Sequence, residues 1–235
     1  MIIVSMFDES GNALRPWAVA GHQCHAFDWV NVPHIERFAS GGSIEYHWAD
    51  FTDIRCVMSV ISLRPDFVMG WPDCTHLAVS GSLHFADKLA KDPDIQRNAV
   101  RLARTVEFVG MMTGAPWMAE NPVSMLSSMW RKSNYRFDPC HYGGYLPSDD
   151  VHPRWPEYIP PRDAYTKKTC IWSGNGFVMP PRMPVDPIVI EYENGVKGSP
   201  QFSKLCGKSK KTKQIRSEGP RGFLNAVFYA NAKGA

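Results

Sequence analysis

The sequence predicts an α/β fold: a mostly parallel sheet with helices on both faces, followed by a small loop-rich C-terminal element. Three observations carry this prediction. Strand-like and helix-like segments alternate through the first half, the pattern of parallel strands joined by helical crossovers. Residues 94–112 read as a long helix, because Ile95, Ala99, Leu102, Ala103, Val106 and Val109 recur at helical spacing. Most of the 19 prolines fall in the second half, where the alternation weakens.

Taken in order, Ile2 to Phe7 reads as a short buried strand ending in the turn-rich Asp8-Glu9-Ser10-Gly11-Asn12. Ala13 to Ala20 follows as a helix, with Pro16 tolerated in its first turn. Cys24 to Asp28 is a second strand ending in an acid, and Ile44 to Trp48 a third, leading into Ala49-Asp50-Phe51-Thr52-Asp53. Ile54 to Leu63 reads as helix and Asp66 to Gly70 as a fourth strand. After the long helix, Gly114 is the stop signal and Pro116 to Ala119 a fifth strand. Beyond Ser124, Thr169 to Trp172 and Ile188 to Tyr192 read as strands and Gly222 to Asn231 as a terminal helix. The expected division is a main domain over 1–173, a short Pro- and Lys-rich element over 174–219, and a C-terminal segment, 220–235, packing back on the main domain.

Composition sets bounds. The chain has 235 residues, 44% hydrophobic and 21% charged, ordinary for a globular protein with a full core. No stretch approaches the roughly 18 apolar residues needed to span a bilayer. Met1-Ile2-Ile3-Val4-Ser5 places no basic residue before its apolar ones, so a signal peptide is not expected and a cytoplasmic location is. Six cysteines stand singly with no C-x-x-C, which argues for free thiols and against structural zinc. His22, Cys24 and His25 are close in sequence, but neighbours in a strand face opposite ways, so no metal is expected there. The net charge is +3, with Lys204, Lys208, Lys210, Lys211, Lys213, Arg216 and Arg221 clustered and Glu218 among them. Such a cluster neutralises phosphates or forms a solvated loop. Trp117, Trp130 and Trp155 read as core or loop anchors. A monomer is the favoured state.

Chemistry-bearing residues gather at strand ends, where open parallel sheets bind ligands. These are Phe7-Asp8-Glu9-Ser10-Gly11, Asp28, Asp50, Pro72-Asp73-Cys74, Ser80-Gly81 and Glu120-Asn121-Pro122. A thiolate and a carboxyl in one cleft are equipped to add a nucleophile to C6 of a pyrimidine while protonating its ring nitrogen. In order and spacing the set resembles the DNA (cytosine-5)-methyltransferases, especially the short forms of bacteriophage genomes. The similarity runs from Ile3 to about Trp172, with a looser match from Lys213 to Ala230.

The resemblance implies a Rossmann-like, S-adenosylmethionine-dependent methyltransferase fold. Phe7, Asp8, Ser10, Gly11 and Asn12 would cradle S-adenosylmethionine, Asp28 would accept from its ribose hydroxyls, Asp50 would accept from its adenine amino group, and Phe51 and Pro72 would belong to the same cofactor site. Cys74 would be the nucleophile, Glu120 would bond N3 and the exocyclic amine, and Asn121 would hold the loop. Ser80 and the lysine cluster would contact DNA, from which the target cytosine is flipped. The chain departs from the family's pattern in three ways: less glycine in the first loop, Asp73 between proline and Cys74, and Thr166-Lys167-Lys168-Thr169 where an Arg-x-Arg is usual. Lys168 would supply the charge there, without a bidentate fork, and the register between Lys167 and Lys168 stays open. The short element over 174–219 implies short or relaxed sequence recognition. Three alternatives stay open: the same fold acting on another nucleic acid or a free pyrimidine nucleotide, a catalytically weak DNA- or cofactor-binding decoy against host restriction, and a cysteine hydrolase using Cys74 and His76.

Overall fold

The computed structural model describes residues 1–192, 195–205 and 209–232, with only the backbone described at 202, 203 and 210. The chain divides into two compact units, Met1–Arg136 with Thr169–Phe177, and Phe137–Lys168 with Val178–Ala235.

The first unit is built on β1 (Ile2–Met6), β2 (Gln23–Asp28), β3 (His34–Arg37), β4 (Ser43–Trp48), β5 (Phe67–Gly70), β6 (Trp117–Pro122), β7 (Tyr135–Phe137) and β8 (Thr169–Gly174). They form one sheet in the order β3-β4-β2-β1-β5-β6-β8-β7. β4, β2, β1, β5 and β6 run parallel, so their carboxyl ends share one edge. β3 and β8 are antiparallel to β4 and β6. β3 was not expected from the sequence: it is short, and its residues are largely exposed. The chain moves outward from β1 to β2 and β4, then returns to place β5 on the other side of β1. The switch point, where such sheets bind ligands, therefore lies between β1 and β5.

Helices flank both faces. On one, Val57 and Val60 of α2 (Ile54–Ser62) and Ala99, Ala103, Val106 and Val109 of α4 (Ile95–Thr113) share a core with Val4, Met6, Phe27, Val68 and Ala119. On the other, Trp17 of α1 (Arg15–Val19) stacks on Phe67, with ring centroids 5.2 Å apart. Alternation along β5 sends Phe67 and Val68 to opposite faces. α2 is capped by Asp53, whose carboxylate accepts the Arg55 N–H. α4 ends at Gly114 in the left-handed region, φ 73°, as the stop signal predicts. α3 (Phe85–Lys91) and α5 (Leu126–Met129) complete the unit. Trp117 lies in the α2–α4 core and Trp130 packs against it.

The second unit is irregular. It contains 3₁₀ turns at Pro139–Tyr145 and Pro161–Asp163, a ribbon of β9 (Ile190–Glu191) and β10 (Lys197–Gly198), and helices α6 (Pro200–Lys204), α7 (Lys210–Ser217) and α8 (Arg221–Asn231). The strand expected over 188–192 shortens to β9 and, among the described residues, pairs with β10. The expected boundary at 173 also moves. Residues 137–168 belong with the C-terminal segment, because Phe223 of α8 stacks on Phe137 at 4.1 Å and meets Tyr142 at 5.1 Å. Among the described residues no helix is long and apolar enough to cross a membrane.

Candidate functional site

Gly70 of β5 pairs with Ala119 of β6, so the chain leaves β5 as Trp71-Pro72-Asp73-Cys74 beside Glu120 and Asn121. Glu120 and Asn121 lie within β6, paired on their other side with Ile171 and Cys170. The side chain of Asn121 spans the two segments: its Nδ2 donates to the Pro72 carbonyl at 2.8 Å. Asn121 is 1% exposed, and its Oδ1 has no hydrogen-bond partner among the described residues. Further on, Val79 N–H donates to Val123 O and Met125 N–H to Leu77 O. The Cys74 loop is thus lashed to the Glu120 segment at three points, and both Cys74 and Glu120 are half-buried.

The Cys74 carbonyl accepts the N–H groups of Leu77 and Ala78 in a single turn, and a 3₁₀ segment, Val79–His84, leads directly into α3. Ser80 sits exposed in that segment. The Asp73 carboxylate is exposed and accepts both the backbone N–H and the hydroxyl of Thr75.

The first loop is shaped by its own acid. Asp8 is 5% exposed, and its carboxylate accepts from Ser5 Oγ at 2.7 Å, Gly11 N at 2.7 Å and Ser10 N at 3.0 Å. Burial pushes its pKa up, against the lowering effect of these donors. Ser5 Oγ in turn accepts from Trp71 Nε1 at 2.9 Å. A relay, Trp71–Ser5–Asp8, with Ser5 and Asp8 buried and Trp71 half-buried, therefore joins the β1 and β5 loops across the switch point. Phe7 takes a positive φ of 59°, and Gly11 one of 66°. Glycine at 11 has an intramolecular reason besides φ, because an added Cβ would lie 2.3 Å from the Tyr46 hydroxyl. Asn12 N–H donates to Ser10 Oγ.

At the ends of β2 and β4, Asp28 accepts the Val30 N–H and Asp50 accepts the N–H and hydroxyl of Thr52. Burial raises the Asp28 pKa, and the charges of Glu9 and Asp8 add to it. Phe51 is buried and its ring lies 4.8 Å from that of Phe7. Trp29 and Trp48, 70% and 57% exposed, follow and close these strands.

The structure thus brings Phe7, Asp8, Ser10, Gly11, Asn12, Asp28, Asp50, Phe51, Pro72, Cys74, Glu120 and Asn121 to one edge of one sheet. Sequence reading missed Ser5 and Trp71. A lone polar residue inside the apolar run Ile2-Ile3-Val4-Ser5-Met6 was the available signal. It also missed Arg136 on β7. Burial raises the pKa of Cys170, the partner of Asn121; Glu120 raises it further, and Ser133 and Arg136 pull it down.

Lys168 and the basic cluster belong to the second unit. Lys168 is exposed, while Lys167 Nζ donates to the Arg216 carbonyl at 3.0 Å. Lys204 Nζ donates to Glu157 O. Lys211 Nζ lies 5.6 Å from the ring centre of Trp155 and 4.8 Å from that of Tyr158. Ile215 anchors α7 in a small core with Ile159, Tyr165 and Leu205, against which Trp155 packs. Lys213 and Arg216, three positions apart on α7, are exposed. Lys208 lies outside the described residues.

Comparison with protein-family models finds no match to this chain, and comparison with curated proteins finds none either.

Proposed function

We propose that the first unit transfers a methyl group from S-adenosylmethionine to C5 of cytosine in DNA, through a covalent bond between Cys74 and C6. The observation that carries this reading is the Asn121–Pro72 hydrogen bond. It holds the cysteine loop and the Glu120 segment together, next to the switch point bordered by the Phe7 to Asn12 loop. The residues at that loop fit the donor. Asp28 offers a half-buried carboxylate at a strand end, suited to ribose hydroxyls, and Phe7 and Phe51 form an aromatic wall. Asp8, engaged by Ser5, Ser10 and Gly11, acts by shaping the loop.

S-adenosylmethionine supplies, when bound, an electrophilic methyl on a sulfonium. C5 of cytosine is too electron-poor to attack it unaided. The Cys74 thiolate adds to C6, and the electron pair of the C5–C6 double bond moves into the ring, where Glu120 donates a proton to N3. C5 thereby becomes nucleophilic and would accept the methyl that bound S-adenosylmethionine supplies. Loss of the C5 proton to a base and departure of the thiolate restore the ring. The target base must leave the stack to reach a half-buried sulfur. The exposed Lys213 and Arg216 on α7 supply phosphate contacts that carry affinity without reading sequence.

The test is incubation with tritiated S-adenosylmethionine and DNA containing 5-fluorocytosine. A covalent adduct formed by the native protein and lost in Cys74→Ser is the expected result. No adduct, and no label transfer to duplex DNA, RNA or dCMP, overturns the proposal. Transfer to RNA or dCMP alone keeps the chemistry and corrects the substrate.

A further inference from the structure

Away from the strand ends, the parallel pairing of β2 and β4 assembles three ligating side chains that are distant in sequence. His25 pairs with Glu45 and Phe27 with His47, and all four side chains share one face of the sheet. His25 Nδ1 and His47 Nε2 are 3.0 Å apart. Glu45 turns Oε2 toward His25 Nδ1 at 3.7 Å and Oε1 toward His47 Nε2 at 3.9 Å. One ligand atom from each residue can be chosen so that all lie within 4.8 Å of one another.

We infer that His25, Glu45 and His47 form a binding site for a divalent transition-metal ion, with Zn²⁺ the best fit. Tetrahedral coordination at the usual Zn–N and Zn–O lengths puts ligand atoms about 3.3–3.4 Å apart. The 3.0, 3.7 and 3.9 Å contacts lie on either side of that value, the last two to different Glu45 oxygens, and side-chain rotation that brings one carboxylate oxygen between both nitrogens closes the site. A hydrogen bond between the imidazoles accounts for the 3.0 Å contact, but not for a carboxylate aimed at both nitrogens from beyond hydrogen-bonding range. Two imidazoles and one carboxylate form a borderline donor set that suits zinc, nickel or copper better than magnesium or calcium. His47 is further fixed by stacking on Phe27, centroids 4.5 Å apart at 15°. The ion leaves a fourth position for water and clamps β2 to β4 three residues before Asp28 and Asp50.

The full-length protein, stripped with chelator, is titrated with Zn²⁺ by calorimetry and with Co²⁺ by visible absorption. One equivalent bound, tetrahedral cobalt bands without thiolate charge transfer, and a rise in Tm with Zn²⁺ are expected. His25→Gln or His47→Gln weakens binding by more than about 100-fold, beyond the 10–100-fold that loss of an outer-shell partner costs. Glu45→Gln, on the most exposed of the three side chains, guards against a His variant that fails to fold; it removes the metal-induced rise in Tm while leaving the metal-free Tm unchanged. Absence of binding by the native protein overturns the proposal. So does undiminished binding by His47→Gln, or a thiolate signature that survives in it. Methyl transfer is not measured, so the outcome is independent of the proposed activity.

Discussion

Asn121 is the residue on which the proximity of the Cys74 and Glu120 segments most depends, and its replacement gives a prediction with a sign and a size. In Asn121→Ala the Pro72 carbonyl, on a buried residue, loses the Nδ2 donor held at 2.8 Å. Leaving such a group unsatisfied costs about 1–3 kcal/mol. The same change removes Oδ1, a buried acceptor with no partner among the described residues, which offsets part of that loss. The expected net cost is about 1–2 kcal/mol, or roughly 2–8 °C in Tm for a chain of this size. Asn121→Asp sets an acceptor against an acceptor and buries a charge, so at neutral pH it is worse than the alanine variant by more than about 1 kcal/mol. Burial raises the pKa of the new carboxyl in the folded state. Stability is therefore retained at low pH, where the protonated group donates to Pro72, and is lost as pH rises through the folded value. Urea denaturation of the three proteins between acidic and neutral pH reads all of this. If Asn121→Ala unfolds with the native protein, or if Asn121→Asp is no worse than it, the reasoning fails.

Three other outcomes follow from the same structure. Ser5→Ala strips a partner from Trp71 Nε1 and from Asp8 at once, at a cost of about 2–4 kcal/mol in urea denaturation. Because the Asp8 pKa already lies above its ordinary 3.8 and loses a lowering donor, stability should fall more steeply as pH rises from that value; an unchanged pH profile contradicts the relay. Asp150→Ala breaks the paired bonds of Asp150 to Arg221, 2.8 and 2.6 Å, on a carboxylate only 6% exposed, and should cost about 3–5 kcal/mol. Burial alone would raise the Asp150 pKa, but Arg221 and the Arg162 N–H bring it below 3.8, so its stabilisation is lost as pH falls through the folded value. The variant's acid-denaturation limb should be flatter, and an identical limb contradicts the assignment. For DNA binding, Lys213→Gln combined with Arg216→Gln should reduce the slope of log affinity against log salt by about 1.8 in fluorescence anisotropy; an unchanged slope removes α7 from the interface.

The periodicities visible in the chain determined which segments became strands and helices in the first unit, because spacing alone sets which side chains share a face. Strand-end acids, the Cys74 loop and the Glu120 segment could be picked out before any coordinates, since each follows an apolar run. Pairing partners could not be. The order of strands, the reversal that seats β5 beside β1, and the antiparallel β3 and β8 depend on which edges meet, a non-local choice that neighbours in sequence do not encode. The Trp71–Ser5–Asp8 relay spans 66 residues between its first two members, and the His25–Glu45–His47 cluster joins two strands, so neither had a local signature. The irregular second unit was read least well. Its cohesion comes from aromatic contacts such as Phe137 with Phe223, and these have no period to detect.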